Sequence, residues 1–139
     1  MNLSKNVKVV LAKAAAASGT TAVTTDVIDT QGFEGVMFFG SIATKDTGNF
    51  ANAQQGKASD MSDAADLADT KVTPATNGHS FLIDVCHPQE RYVQVVITRG
   101  QATSTGDVYA VLYGPREAPT AHGSTILAET HVSPAEGTA

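Results

Sequence analysis

The sequence FEGVMFFGSIA at residues 33–43 carries the strongest secondary-structure signal in the chain. Aromatic and β-branched side chains fill it, and Gly32 supplies a turn residue immediately before it. Gly35 and Gly40 lie inside the stretch, where a glycine in a strand often marks a bulge or a close backbone contact. These features predict a β-strand.

The same character recurs along the chain in short apolar runs separated by Gly, Asn, Asp, Ser and Thr. This pattern is typical of strands joined by turns. Further strands are predicted at residues 7–13, 21–29, 81–86, 91–99 and 107–113, with a weaker candidate at 124–131. Because no amphipathic helix separates them, we predict an all-β fold. It would be a single β-sandwich or jelly roll of about eight antiparallel strands, with at most one or two short helices.

Two segments depart from this pattern. The alanines at residues 14–17 are too few to nucleate a helix, so we expect the end of a strand with a turn. Residues 59–69 (SDMSDAADLAD) place an aspartate at every third position, which predicts either a short helix or a turn-rich excursion. Because the pattern lacks the central glycine and terminal glutamate of a calcium-binding loop, we interpret it as a solvated acidic face.

The predicted strands at residues 91–99 and 107–113 are apolar on both faces, whereas an antiparallel strand with one solvated face alternates apolar with polar. Either a covering loop or another subunit must therefore shield the second face. We predict that Tyr109, Val111 and Tyr113 form a candidate subunit interface. The predicted core consists of Val9, Leu11, Val36, Phe38, Leu82, Val93, Val95, Ile97, Val108 and Leu112.

The chain has 139 residues, which is the size of one domain. We predict a single domain over residues 1–139, with an N-terminal arm at about 1–6 and a C-terminal tail at about 115–139 that a neighbour could order. A net charge of −5 argues against nucleic-acid binding, and no apolar run is long enough to span a membrane. The first residues lack the apolar stretch of a signal peptide, so a cytosolic product is expected.

The sequence shows no constellation of catalytic or cofactor-binding residues. It contains no HExxH or CxxC metal motif, no phosphate-binding glycine-rich loop and no GxSxG nucleophile motif. Cys86 and His87 are the only close pair of potential ligands, but neighbouring side chains on a strand point to opposite faces. We interpret the pair as a buried thiol beside a turn histidine. No catalytic residue, cofactor, metal or enzymatic activity is predicted.

The turn HPQERY joins two of the predicted strands, and Pro88 sets its geometry. Arg91 and Tyr92 open the second of these strands. We interpret Pro88, Arg91 and Tyr92 as a structural corner in which Arg91 pairs with a nearby carboxylate such as Asp84 or Glu90. A direct binding role for this corner is the alternative.

Several segments, taken in order, carry a resemblance to a known family. They are DTQGFEG at residues 29–35, ADLA at 65–68, PQERYV at 88–93, AVLYGPR at 110–116 and SPAEGTA at 133–139. Together they resemble a family of small virion proteins of tailed bacteriophages. The resemblance implies a capsid decoration (cement) protein, since some similar small β-sandwich proteins decorate phage capsids as trimers near three-fold positions.

The same resemblance implies the partners and the location. The chain would bind the major capsid protein and itself, as a homotrimer, on the outer surface of the head, after synthesis in the cytoplasm of the host bacterium. A tail, neck or fibre component of the virion is the alternative. A carbohydrate-binding or hydrolytic β-sandwich module is less favoured, because the chain has no tryptophan and only 6% aromatic residues.

Overall fold

The computed structural model describes residues 1–138, so Ala139, the last residue of the predicted tail, lies outside the described residues. Within them the chain forms two antiparallel β-sheets and one short 3₁₀-helix, η1 (Leu3–Lys5). The strands are β1 (Val7–Lys13), β2 (Ala16–Gly19), β3 (Val23–Thr24), β4 (Ile28–Asp29), β5 (Gly35–Thr44), β6 (Phe50–Gly56), β7 (Ala65–Asp66), β8 (His79–Cys86), β9 (Tyr92–Thr98), β10 (Thr103–Thr105) and β11 (Val108–Tyr113). The prediction of an all-β sandwich with at most one or two short helices is confirmed.

The first sheet is built around β5, the ten-residue strand predicted from the stretch at residues 33–43. β8 pairs along one edge of β5, while β11 and then β10 pair along the other edge. β1 extends the sheet beyond β11, and β2 extends it beyond β10. The glycines of β5 permit close packing, because a Cβ at Gly35 would meet Tyr113 and one at Gly40 would meet Val108 and Phe81.

The second sheet is built around β9. One edge of β9 pairs with β6 over the whole length of both strands, and β7 pairs with the far edge of β6. The other edge of β9 pairs first with β4 and then with β3. The segment predicted as one strand at residues 21–29 is therefore two short strands, which bind successive parts of the same partner.

The core lies between the two sheets, and most of the predicted core residues are buried there. The seven confirmed positions are Val36, Phe38, Val93, Val95, Ile97, Val108 and Leu112. The prediction for β8 is wrong by one residue: Phe81 and Ile83 are buried, whereas Leu82 is 57% exposed. Because side chains alternate across a strand, this shift turns the predicted core residue of β8 to the outside.

The predicted core positions of β1 are also wrong. Val9 and Leu11 are only half-buried, while Ala12 is fully buried in the core. Val9 lies opposite Val111 and Leu11 opposite Tyr109, so both share the outward face of β11. A register shift between Leu11 and Lys13 changes the alternation at the end of this strand.

Several expectations for the connecting segments need correction. β6 and β10 arise from sequences that showed no strand pattern, and residues 124–131 form no strand. Of the two structures predicted for residues 59–69, a short helix or a turn-rich excursion, the turn-rich excursion is found, and it contains the short strand β7 and no helix. The alanines at residues 14–17 link two strands, since β1 ends at Lys13 and β2 begins at Ala16.

The predicted arm and tail lie together along the free edge of β1. The Thr120 amide donates a hydrogen bond to the Lys5 carbonyl (3.1 Å), and the Gly123 amide donates one to the Val9 carbonyl (2.8 Å). The Val9 amide in turn donates to His122 Nδ1 (3.0 Å). The first part of the tail is thereby bound to its own sheet.

Across residues 1–138, no helix combines the length and the apolar character needed to cross a lipid bilayer.

Candidate functional site

Four adjacent strands of the first sheet place apolar side chains on the face that points away from the core. One cross-strand row runs Leu11, Tyr109, Phe39 and Leu82. A second, parallel row runs Val9, Val111 and Met37 and ends on β8 at the carboxylate of Asp84. We define the outer apolar face as Val9, Leu11, Met37, Phe39, Leu82, Tyr109, Val111 and Tyr113.

The outer apolar face is partly accessible to solvent. Phe39 and Leu82 are 38% and 57% exposed, and the other six members are half-buried. The ring of Tyr109 stacks on that of Phe39, with the ring centroids 5.5 Å apart. The predicted interface residues Tyr109 and Val111 therefore lie within a larger apolar surface. The sequence predicted the β11 part of this surface but not the parts on β1, β5 and β8.

Tyr113 lies at one end of this face and is anchored within its own chain. Its ring passes over Gly35, and its hydroxyl donates a hydrogen bond to Asp84 Oδ1 (2.7 Å). Burial, reinforced by this hydrogen bond, raises the pKa of Tyr113 above its ordinary value. Asp84 therefore has a hydrogen-bond partner within the chain.

The C-terminal tail is the segment of this chain that would cover the surface if no second copy did. Its hydrogen bonds with β1 lie at the strand edge. Thr120 Oγ1 donates to the Val7 carbonyl, next to the backbone contacts at Lys5 and Val9. Farther along the tail, Leu127 and Val132 are 98% and 86% exposed, so neither side chain packs on the sheet.

The predicted corner is organised by a different ion pair from the one expected. Arg91 Nε and Nη2 donate to Asp29 Oδ1 and Oδ2 at 2.8 and 2.7 Å. The expectation of Asp84 or Glu90 as the partner of Arg91 is wrong, because the β4–β9 pairing places Asp29 opposite Tyr92. The two hydrogen bonds from Arg91 lower the pKa of Asp29.

Around this ion pair, the corner forms one wall of an open groove of about 370 Å³. Pro88 lines the groove, and Arg116 lies at its other side, where its amide donates to the Gly32 carbonyl (2.9 Å). The Arg91 guanidinium also lies 5.2 Å from the ring centroid of Tyr92. Arg91 is therefore engaged by its own chain on two sides.

A third cluster was not anticipated from the sequence. Cys86 Sγ lies 3.1 Å from His87 Nδ1, and His87 Nε2 lies 3.2 Å from Glu34 Oε1. The interpretation of Cys86 as a buried thiol is wrong, because the residue is exposed. His87 has a φ of 51°, so its side chain does not follow the alternation of a regular strand.

The chain is thus an all-β sandwich of two antiparallel sheets with an outward apolar face, an open groove at its corner and one thiol–imidazole–carboxylate cluster. Its sequence matches no protein-family model, and neither curated proteins nor solved structures show significant similarity to it.

Proposed function

We propose that this chain is a capsid decoration (cement) protein that binds the outer surface of an assembled bacteriophage head and stabilises it. The observation that carries the proposal is the outer apolar face, because contiguous exposed apolar surface of this kind marks an interaction site. The bacteriophage assignment is supported by the resemblance of the segments at residues 29–35, 88–93 and 110–116. The role requires no catalysis by the chain.

The occupant of the outer apolar face is a second copy of this chain, and the resemblance to capsid decoration proteins, not the face itself, favours a homotrimer over a dimer. The eight side chains of the face are uncharged, and the one carboxylate at its border, Asp84 beside Met37, is bound by Tyr113, whereas the whole chain carries a net charge of −5. Like-charged copies repel one another elsewhere, so contact through an uncharged face is favoured. Tyrosine suits this position, since the ring of Tyr109 buries a large area while its hydroxyl can stay at the rim.

Contact with the major capsid protein is assigned to surfaces outside this face, including the exposed end of the tail. Leu127 and Val132 project from a segment whose preceding residues are fixed to β1, so they are held close to the body of the protein. A protein that binds only the assembled lattice stabilises it by mass action, and a trimer that spans neighbouring capsomers adds avidity. Weak individual contacts are then sufficient.

Two measurements on purified virions test the proposal. Cross-linking mass spectrometry should connect the C-terminal segment of this chain to the major capsid protein. Cross-links to proteins of the virion's tail, neck or fibres would instead overturn the head assignment. Heads that lack the chain should rupture at a lower temperature and under milder osmotic shock than heads that carry it. Equal rupture thresholds would contradict the cement role.

A further inference from the structure

The pairing of β5 with β8 brings three potential metal ligands to one end of the first sheet. Gly35 lies opposite Cys86 in this ladder, so the flanking residues Glu34 and His87 also come together. The His87 amide donates a hydrogen bond to the Glu34 carbonyl at 2.9 Å, which fixes the two backbones relative to each other. The sheet therefore brings the backbones of the three residues together.

The left-handed backbone at His87 decides how the ligands are arranged. On a regular strand, the side chains of Cys86 and His87 would point to opposite faces of the sheet. With a φ of 51°, the imidazole instead turns back, and its Nδ1 reaches 3.1 Å from the thiol sulfur. One ligand atom from each of Glu34, Cys86 and His87 lies within 4.8 Å of the other two.

We propose that Glu34, Cys86 and His87 bind a zinc-like divalent cation, with a water molecule as the fourth ligand. Thiolate sulfur, imidazole nitrogen and carboxylate oxygen are the donors that Zn²⁺ takes in proteins, at about 2.0–2.3 Å. Ligand atoms less than 4.8 Å apart can reach such bond lengths by small side-chain rotations. All three residues are exposed, and the side chains of His87 and Glu34 are 73% and 51% accessible to solvent.

The charges around the cluster are mixed, because Arg91 and Arg116 line the same groove as Glu34 and His87, while carboxylates lie nearby. Tyr113 and Cys86 lie on either side of Gly35 in the sheet, and the Tyr113 hydroxyl binds Asp84, so a second carboxylate is close by. The net charge of −5 also attracts cations. The competing explanation is a chain of hydrogen bonds from thiol to imidazole to carboxylate without a metal, which accounts for the same two distances.

Titration of the purified full chain with Co²⁺ separates these explanations, because cobalt bound to a thiolate gives a charge-transfer band in the near ultraviolet. We expect this band to saturate at one Co²⁺ per chain and to disappear on addition of Zn²⁺. Cys86→Ser should abolish the band. His87→Asn, which keeps a residue tolerant of positive φ, and Glu34→Gln should each weaken Co²⁺ binding by about tenfold or more.

The matched control is His131→Asn. His131 lies 3.8 Å from Glu129 in the tail, so it forms a histidine–carboxylate pair without a thiol. This variant should bind Co²⁺ as the unaltered chain does, and circular dichroism should show the same β-rich spectrum for all variants. Absence of the charge-transfer band in the unaltered chain, or an unchanged affinity in both His87→Asn and Glu34→Gln, would overturn the proposal.

Discussion

At the scale of single residues, both polar clusters join positions that are far apart in the sequence. Asp29 and Arg91 are 62 residues apart and meet because β4 pairs with β9. Glu34 meets His87 through the pairing of β5 with β8. Since strand register is a tertiary property, the sequence could indicate that Arg91 needs a carboxylate but not which one. The backbone conformation of His87 likewise has no sequence signal, because positive φ is uncommon outside glycine.

The Asp29–Arg91 pair makes stability depend on pH in a defined direction. The pKa of Asp29 is lowered from 3.8 in the folded chain, mainly by the hydrogen bonds from Arg91. The ionised carboxylate therefore stabilises the fold above the unfolded pKa, and this stabilisation is lost as the pH falls through the folded pKa. We expect Asp29→Asn to lower the free energy of unfolding at pH 7 and to have a smaller effect at a pH below the unfolded value of 3.8.

Urea denaturation at the two pH values measures this difference. Glu136→Gln, in the exposed tail, is the matched control and should behave like the unaltered chain at pH 7. A cost of Asp29→Asn that is equal at both pH values would show that the ion pair does not carry the effect. Because the pair is exposed, the cost at pH 7 should be modest.

At the scale of strands, apolar runs predicted β1, β5, β8, β9 and β11 but could not reveal β6. The inward residues of β6 are the small Ala51 and Ala53, so the segment FANAQQG shows no large apolar periodicity. Its polar side chains are instead bound by Asp66, whose Oδ1 accepts from Asn52 Nδ2 and Gln54 Nε2, each at 2.8 Å. Tertiary hydrogen bonds, and not strand propensity, hold this strand in the sheet.

The aspartates of residues 59–69 show why that segment is not a helix. Asp63 accepts hydrogen bonds from the amides of Lys57 (2.9 Å) and Ala58 (3.1 Å), and Asp60 accepts one from Ser62 (3.0 Å). Aspartate side chains that bind nearby backbone amides favour turns over helix interiors. Asp60 and Asp63 therefore stabilise turns, whereas Asp66 lies in β7, although the three-residue spacing also suits one face of a helix.

The strand β8 provides a direct test of register. Ile83 is 4% exposed and faces the core, while its neighbour Leu82 lies on the outer apolar face. Ile83→Ala should lower the free energy of unfolding by about 2–4 kcal/mol, because it removes buried atoms and leaves a cavity. Leu82→Ala should cost less than about 1 kcal/mol when measured at a concentration at which the chain is monomeric. Equal costs in urea denaturation would contradict this register.

At the scale of the whole molecule, strand spacing and the absence of amphipathic helices were sufficient to predict the fold class. The two apolar faces of β11 also predicted a surface that either a covering loop or another subunit would shield. The extent of that surface was hidden, because it depends on Phe39 and Leu82, which reach the same face only through the register of β5 and β8. A one-residue error in β8 placed Leu82 in the core and so removed it from the predicted interface.

The outer apolar face predicts how the free protein associates. We expect light scattering at micromolar concentration to report a mass near three times 14.3 kDa. Val111→Asp places an unpaired charge between Val9 and Met37, at a cost on the order of several kcal/mol if the surface is buried between copies. This variant should be a folded monomer that no longer binds heads. Thr24→Asp, which adds the same charge to the exposed side of β3, should stay trimeric. A monomeric unaltered chain, or a trimeric Val111→Asp variant, would contradict association through this face.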